Sequence, residues 1–469
     1  MTAIHPTRRA TSNDAAHSRE TPARRMRVAT QLRQWLLQPT RWWETTGVFA
    51  VATALYVSVV TLLGGFQTGD ASETVYPSIL MAHGQLACAY PASNPFPVPM
   101  AGPGYAVWTA AAQWLLHLGY VPAFPSPSAF GVNCSQASGA LAQWLHLSGV
   151  YWSVIHLSVL AWIALALSAH YLLGATGLHG RRQAWIAPLA LAVTPAVFMA
   201  VQEYFHPQDQ LALALVFVAV GASLRQRFAL AGTLFALAFV TQQYTSLALV
   251  VVAAISFGAE RRQLLRSCAV ALAGLVVLIG AFLGATGVRA ALLGTGHSRI
   301  KYGTWMYELH LPEVTGLVIS RVLPLVLAGV IASWAARRRR DLARDPEFLL
   351  GVLAVAFSLR VLLEINLFGY YLLATAATLV LRDVVARRSC RGTIWLMVAV
   401  LVAFPRDGVW QHLWASQPTW FFQVVLAPSA FTVSLLSLLR TMRGEGARER
   451  LAGDHASVED APSTARVVS

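Results

Sequence analysis

Long apolar runs, separated by short polar stretches, dominate the chain. Runs of about 15 to 23 residues recur along most of its length, close to the ~20 residues that a helix needs to cross the hydrocarbon core. We therefore predict an all-α polytopic membrane protein with about twelve transmembrane helices. The predicted spans are residues 45–66, 149–173, 184–201, 210–224, 227–241, 244–258, 267–285, 316–334, 347–363, 368–383, 392–404 and 420–439.

The composition agrees with this pattern. Of the 469 residues, 56% are hydrophobic and 12% are charged, whereas a soluble domain carries roughly 25% charged residues. The net charge of +14 does not indicate a nucleic-acid partner, because the arginines lie in short connections between apolar runs and in the two tails. That distribution is the one that orients proteins in membranes.

Arginine marks alternate connections. The even-numbered ones contain "HGRRQ", "RQR", "ERRQLLR", "ARRRRDLARD" and "RDVVARRSCR", whereas the loop 67–148 has neither lysine nor arginine. The positive-inside rule predicts a multi-pass plasma-membrane protein with cytoplasmic termini and an outer 67–148 loop. We expect disordered cytoplasmic tails at 1–43 and 441–469 around a membrane domain at 44–440, without a cleaved signal peptide.

The outer loop 67–148 is rich in aromatic residues and proline. Its Trp108 and Trp114 are typical of interfacial helices, and Pro-rich connectors separate those helices. Cys88 and Cys134 both lie in this loop, outside the cytoplasm, where disulfides persist. We expect a disulfide between them, and two buried free thiols are the alternative.

The stretch "QEYFHPQDQ", residues 202–210, places Glu203, His206 and Asp209 between the third and fourth spans, on the predicted outer side. Titratable groups at membrane depth are costly and usually functional. Three interpretations stay open: these side chains bind substrate or support a base, Asp209 caps the fourth span, or they bind a metal. Their spacing is no specific metal signature, so we predict no metal site.

Two further groups of residues reach the predicted outer side. Asp70 and Glu73 are the only fixed acids in the 67–148 loop, and either carboxylate can act as a general base. Cationic candidates that would stabilise a phosphate are His297, Arg299 and Lys301 before the eighth span and Arg321 inside it.

A polar pair and an aromatic residue lie at the top of the ninth and tenth spans. Arg360 and Glu364 are four residues apart, so they share one face of a helix. They either neutralise each other or contact substrate. Tyr370 either packs at the interface or stacks on a sugar.

Several of these stretches together resemble a known family. Asp70 followed by "VYPSILMAHGQLACAYP" resembles the first outer loop of C-type, polyprenyl-phosphate-dependent glycosyltransferases. "YFHPQDQLALAL" and "LAGTLFALAFVTQQYTSLALV" look like the middle of actinobacterial members near glycosyltransferase family 87. The likeness covers roughly residues 45–380. It implies the fold of that family (GT-C) and an outward-facing site. Independently of the resemblance, we predict no cofactor, because no divalent-metal site is indicated.

The resemblance also implies a reaction. The donor would be decaprenyl-phosphate-linked mannose or arabinofuranose, the acceptor an envelope lipid or glycan, and the anomeric carbon would be inverted. The family's base corresponds to Asp70, with Glu73 as the rival, and its loop tyrosine to Tyr76. Tyr76 lies six residues after Asp70 and three after Glu73, whereas related sequences place the acid about four residues before the tyrosine, so both acids stay open.

Two other classes of protein fit about twelve spans with charged groups in them. One is a transporter or flippase of a lipid or envelope precursor, although the sequence shows no internal repeat of the kind common in transporters. The other is a lipid-binding scaffold without catalysis.

The orientation can be tested at Ser93. We expect Ser93→Cys, in a background with Cys88, Cys134, Cys268 and Cys390 replaced by serine, to react with a membrane-impermeant maleimide in intact cells. Ala343→Cys, within "ARRRRDLARD", is the matched control and should react only after the membrane is opened. Labelling of Ser93→Cys from the cytoplasmic side alone would reverse the orientation and with it the functional interpretation.

Overall fold

The computed structural model describes residues 101–109, 151–178, 181–192, 205–293, 304–365, 369–386 and 422–444, together with single positions elsewhere. Every regular element in these ranges is helical. The helices are α1 (Tyr151–Ala175), α2 (Arg181–Ala192), α3 (Pro207–Leu224), α4 (Phe228–Thr241), α5 (Ser246–Ile255), α6 (Gly258–Leu293), α7 (Trp305–Glu308), α8 (Glu313–Arg338), α9 (Pro346–Leu362), α10 (Leu373–Ala386) and α11 (Ala427–Met442). Short 3₁₀ turns occupy Gln243–Thr245, Arg340–Leu342 and Gly369–Leu372, and a π turn, Phe422–Leu426, precedes α11.

Four helical segments are long and apolar enough to cross a membrane. They are Pro207–Leu224, Gly258–Ala281, Glu313–Arg338 and Val424–Met442. The chain is therefore helical, with several helices suited to a bilayer, as predicted. The predicted spans 45–66 and 392–404 lie almost entirely outside the described residues, so the total of twelve stays a prediction.

Two predicted spans have different bounds in the structure. The span predicted at 267–285 is part of α6, which begins nine residues earlier at Gly258 and is interrupted at Gly284, where φ is 68°. The helix α6 begins earlier than the predicted span because the polar stretch "ERRQLLR" consists of good helix formers. The prediction was based on hydropathy alone and therefore excluded this stretch. The span predicted at 184–201 is broken, since α2 ends at Ala192 and Thr194 is not helical.

Small residues bring the central helices close together. Fifteen of the eighteen residues of α3 are buried. A Cβ added at Gly221 of α3 would lie 2.9 Å from the Tyr171 ring of α1, and one added at Gly232 of α4 would lie 2.3 Å from the carbonyl oxygen of Leu264 in α6. Close backbone approach through small residues is the usual way in which helices associate in membranes. It places α3 in the interior.

Polar clusters mark the two ends of α9, which is 17 residues or roughly 25 Å long. At its start, buried Glu347 accepts from Arg382 of α10 (2.9 Å) and from Thr441 of α11 (2.7 Å). Arg382 also pairs with Asp383 (2.9 Å). We call this the Arg382 end. The opposite end, where α3 and α10 begin and α9 finishes, is the His206 end.

Candidate functional site

An unusual backbone turn starts α3 at the His206 end. Phe205 is buried with φ of 55°, a conformation that costs a bulky residue on the order of 1–3 kcal/mol. Pro207 follows at the first helical position, where its missing N–H is not needed. The backbone N–H of His206 donates to the Ala200 carbonyl. The turn is thereby fixed, and the side chain of His206 is left for other contacts.

His206 and Asp209 form a buried pair. The imidazole Nδ1 lies 3.3 Å from Asp209 Oδ2, and both side chains are almost fully buried. Gln208 Nε2 lies 2.8 Å from the same Nδ1. If Nδ1 carries a hydrogen, it donates to Asp209; if it does not, it accepts from Gln208. The tautomer of His206 therefore decides which of the two side chains its Nδ1 bonds.

The expectation that Asp209 caps the fourth span is wrong. His206 occupies the N-cap position, and no side chain there bonds to the backbone of α3. The predicted span began at residue 210, but α3 begins at Pro207. Asp209 is consequently the third helical residue, and its Oδ2 faces His206. Glu203, the third acid or base of this stretch, lies outside the described residues.

Aromatic rings extend the pair towards α9 and α10. The His206 imidazole stacks on Tyr370, with ring centroids 4.0 Å apart. Tyr370 in turn packs edge-on against Tyr371 at 4.7 Å. The hydroxyl of Tyr244 donates to the Asp209 carbonyl oxygen at 2.8 Å. Four chain segments therefore meet here. They are the start of α3, the turn Gln243–Thr245, the turn Gly369–Leu372 and the end of α9.

Arg360 is the cation of this site. Its guanidinium carbon lies 4.6 Å from the centroid of the Tyr244 ring and 5.0 Å from that of Tyr371. Its Nε is 3.6 Å from Glu364 Oε2, an ion pair just too long for a hydrogen bond. We call His206, Asp209, Tyr244, Arg360, Glu364, Tyr370 and Tyr371 the His206 cluster.

The predicted pairing of Arg360 with Glu364 is confirmed, but the single helical face is wrong. The helix α9 ends at Leu362, so Glu364 lies beyond it. The Leu362 carbonyl accepts a hydrogen bond from the Trp305 indole N–H at 3.2 Å. This bond replaces the one that the carbonyl would accept from the backbone if the helix continued. Trp305 begins α7, so this bond also brings the segment before α8 to the His206 cluster.

The 67–148 loop reaches the same end of the bundle. Thr74, fully buried, donates its hydroxyl hydrogen to the Phe205 carbonyl oxygen at 3.3 Å. Gly102 donates its N–H to the Thr241 carbonyl at 3.2 Å. A Cβ at Gly102 would lie 2.3 Å from the Val240 carbonyl oxygen, so only glycine fits this contact. Thr74 therefore contacts the turn before α3, and Gly102 contacts the end of α4.

Several buried polar atoms of this region have no protein hydrogen-bond partner within the described chain. They are Gln208 Oε1, Asp209 Oδ1, Gln210 Oε1 and Arg360 Nε. A buried unsatisfied polar atom costs about 1–3 kcal/mol. Such a group of atoms is unusual for a purely structural contact and suits a polar ligand. The three oxygens can accept hydrogen bonds from hydroxyl groups of the ligand, and the Arg360 guanidinium can bind an anionic group. In the same part of the chain, no three His, Cys, Asp or Glu side chains are grouped to hold a metal.

Of the predicted site residues, the structure brings five together: His206, Asp209, Arg360, Glu364 and Tyr370. Arg321 is half-buried on α8 and forms no ion pair with a described residue. The remaining predicted residues lie outside the described ranges: Asp70, Glu73, Tyr76, Cys88, Cys134, His297, Arg299 and Lys301.

Sequence reasoning did not select Tyr244 or Gln208. The signal for Tyr244 was present, because "TQQYTSL" is a polar break between two apolar runs on the same side as "QEYFHPQDQ". Gln208 lies inside the latter stretch and was passed over because its side chain does not titrate. No family model, curated protein or solved structure matches this chain.

The ion pair in the His206 cluster can be tested by stability. We expect Arg360→Met to destabilise the protein by roughly 3 kcal/mol, because Glu364 keeps a buried charge and loses its counter-ion. The double variant Arg360→Met/Glu364→Gln should recover at least half of the loss in melting temperature measured in detergent. Arg266→Met, at an exposed arginine of α6, is the control and should change stability little. Strictly additive losses in the double variant would show that the two side chains are not coupled.

Proposed function

We propose that this protein is a membrane glycosyltransferase that moves a sugar from a polyprenyl-phosphate donor to an envelope lipid or glycan on the outer face, inverting the anomeric carbon. The hydrogen bond from Thr74 to the Phe205 carbonyl carries the proposal. Thr74 directly follows Glu73, and consecutive Cα atoms are about 3.8 Å apart. Glu73 is thus the chain neighbour of a residue that contacts the turn before α3, and Asp70 precedes that residue by four positions; this supports the proposal that a base from this segment acts beside His206.

The chemistry divides between two groups of residues. Asp70 takes the proton of the acceptor hydroxyl as the hydroxyl oxygen bonds to the anomeric carbon, and the bond from that carbon to the phosphate oxygen breaks. The leaving polyprenyl phosphate is already a stable anion, so no strong acid is needed opposite the base. Arg360 is placed to stabilise it in a site from which water is largely excluded.

The other members of the His206 cluster suit the sugar. Tyr370 offers an aromatic face, and the free acceptor atom Asp209 Oδ1 can accept from sugar hydroxyls. His297, Arg299 and Lys301 precede Trp305 in the chain and are further candidates for binding the same phosphate. In this proposal the fold is of the GT-C type with about twelve spans and cytoplasmic termini.

A transporter or flippase is the second candidate, and the break at Gly284 within α6 favours it. Transporters often place a substrate site at interrupted helices, which commonly occur as a pair in two related halves. The ranges that the structure describes contain no second long helix interrupted by a non-helical glycine. Transfer of labelled sugar to an acceptor, as opposed to movement of an unchanged lipid across the bilayer, separates the two functions.

The base can be identified with paired substitutions. In nanodiscs with a radiolabelled polyprenyl-phosphate mannose or arabinofuranose, we expect Asp70→Asn to lower the transfer rate ~10²–10⁴-fold, the usual cost of losing a general base. Glu73→Gln is the matched control and should retain transfer. Both variants should keep the wild-type melting temperature, since each substitution replaces a carboxylate by an amide of nearly the same shape and volume.

The reverse result, with Glu73→Gln inactive and Asp70→Asn active, would make Glu73 the base. Retention of transfer by both variants would remove the general-base mechanism. If the wild-type protein transfers neither sugar from either donor, the proposal itself fails.

A further inference from the structure

A shallow groove, lined in the described part of the chain by residues of α8 alone, runs along that helix towards the Arg382 end. Its volume is about 700 Å³. Its lining includes Val326, Gly329, Val330, Trp334, Arg337 and Arg338. None of these side chains belongs to the His206 cluster, which lies at the opposite end of the helices.

The floor of the groove is an exposed apolar stripe. Val326, Val330 and Trp334 are 53%, 60% and 46% exposed, and their spacing of four residues places them on one helix face. About 16 Å of helix separates Val326 from Arg337 at 1.5 Å per residue. That length is close to half of the ~30 Å hydrocarbon core. The stripe therefore has the depth of a single membrane leaflet.

The cytoplasmic end of the stripe carries two cations. Arg337 and Arg338 are exposed at the last turn of α8, and neither has an ion-pair partner among the described residues. The nearby acids already have partners, since Asp341 binds Arg339 at 2.8 Å and Glu260 binds Arg344 at 2.6 Å. The hydrogen bond from Arg339 lowers the pKa of the Asp341 carboxyl, so that acid stays ionised and paired with Arg339.

Trp334 lies one turn before the two arginines and completes the arrangement. An indole ring favours the boundary between hydrocarbon and headgroups, and arginines just beyond that boundary attract anionic lipid headgroups. The order of these groups along α8 matches that of a phospholipid. The two arginines correspond to the headgroup, the Trp334 ring to the glycerol region and the apolar stripe to an acyl chain.

We propose that the groove on α8 binds one anionic phospholipid of the cytoplasmic leaflet. Arg337 and Arg338 hold its headgroup phosphate, and an acyl chain lies on Val330 and Val326. Charge complementarity selects this occupant, because two uncompensated guanidinium groups at the mouth of an apolar groove favour an anionic head on an apolar tail. The inference is independent of the reaction at the His206 cluster.

Native mass spectrometry of the full-length protein can measure this binding, with phosphatidylglycerol and phosphatidylcholine of identical acyl chains as probes. For Arg337→Gln/Arg338→Gln we expect the first phosphatidylglycerol to bind roughly 30-fold more weakly, which corresponds to the ~2 kcal/mol attraction of two arginines. The control Arg262→Gln/Arg266→Gln removes two exposed arginines from α6. It makes the same change in charge and should bind as the wild type does.

A third variant tests the apolar part of the site. Ser333→Trp fills the groove and keeps both arginines, so it should also lose the first phosphatidylglycerol. Unaltered phosphatidylglycerol binding by Ser333→Trp would overturn the proposal. Equal losses of phosphatidylglycerol affinity in the two arginine double variants would also overturn it, because they would indicate diffuse electrostatic attraction. The proposal is also contradicted if the wild type binds phosphatidylcholine as tightly, or if soluble glycerol 3-phosphate displaces the lipid.

Discussion

The guanidinium of Arg360 has to be balanced inside an apolar helix bundle, and the His206 end depends on how this is done. Its side chain is only 13% exposed, and removing such a charge from water costs several kcal/mol unless partners surround it. Those partners are the Glu364 carboxylate and the faces of Tyr244 and Tyr371. Each comes from a different part of the chain, so balancing one charge fixes the end of α9 against two turns.

Close helix packing sets the depth at which this cluster forms. Gly221 allows α3 to approach Tyr171 of α1, and most of α3 is buried as a result. The start of α3 then lies level with the end of α9, so that the ring of His206 can stack on Tyr370. A buried imidazole–carboxylate pair beside a balanced arginine is suited to a ligand that combines hydroxyl groups with an anion. A sugar phosphate is such a ligand.

Local spacing explains what could be predicted from the sequence. Arg360 and Glu364 are four residues apart, and His206 and Asp209 are three apart, so a short separation along the chain keeps each pair close although one member of each lies outside the helix. The stacking of His206 on Tyr370 and the bond from Tyr244 to Asp209 depend on tertiary packing between distant segments, which hydropathy and spacing do not specify. The early start of α6 was missed for a different reason, since its first turns are polar yet strongly helix-forming.

The central claim is that the His206 cluster holds the phosphate and sugar of the donor. A cryo-EM structure of the protein in nanodiscs, with the polyprenyl-phosphate sugar bound, tests it most directly. The account predicts the donor phosphate within hydrogen-bond distance of Arg360, about 3 Å, and the sugar ring against Tyr370. The Asp70 carboxylate should face the anomeric carbon from the side opposite the phosphate, as inversion requires. A bound donor that contacts no residue of the His206 cluster would contradict the account.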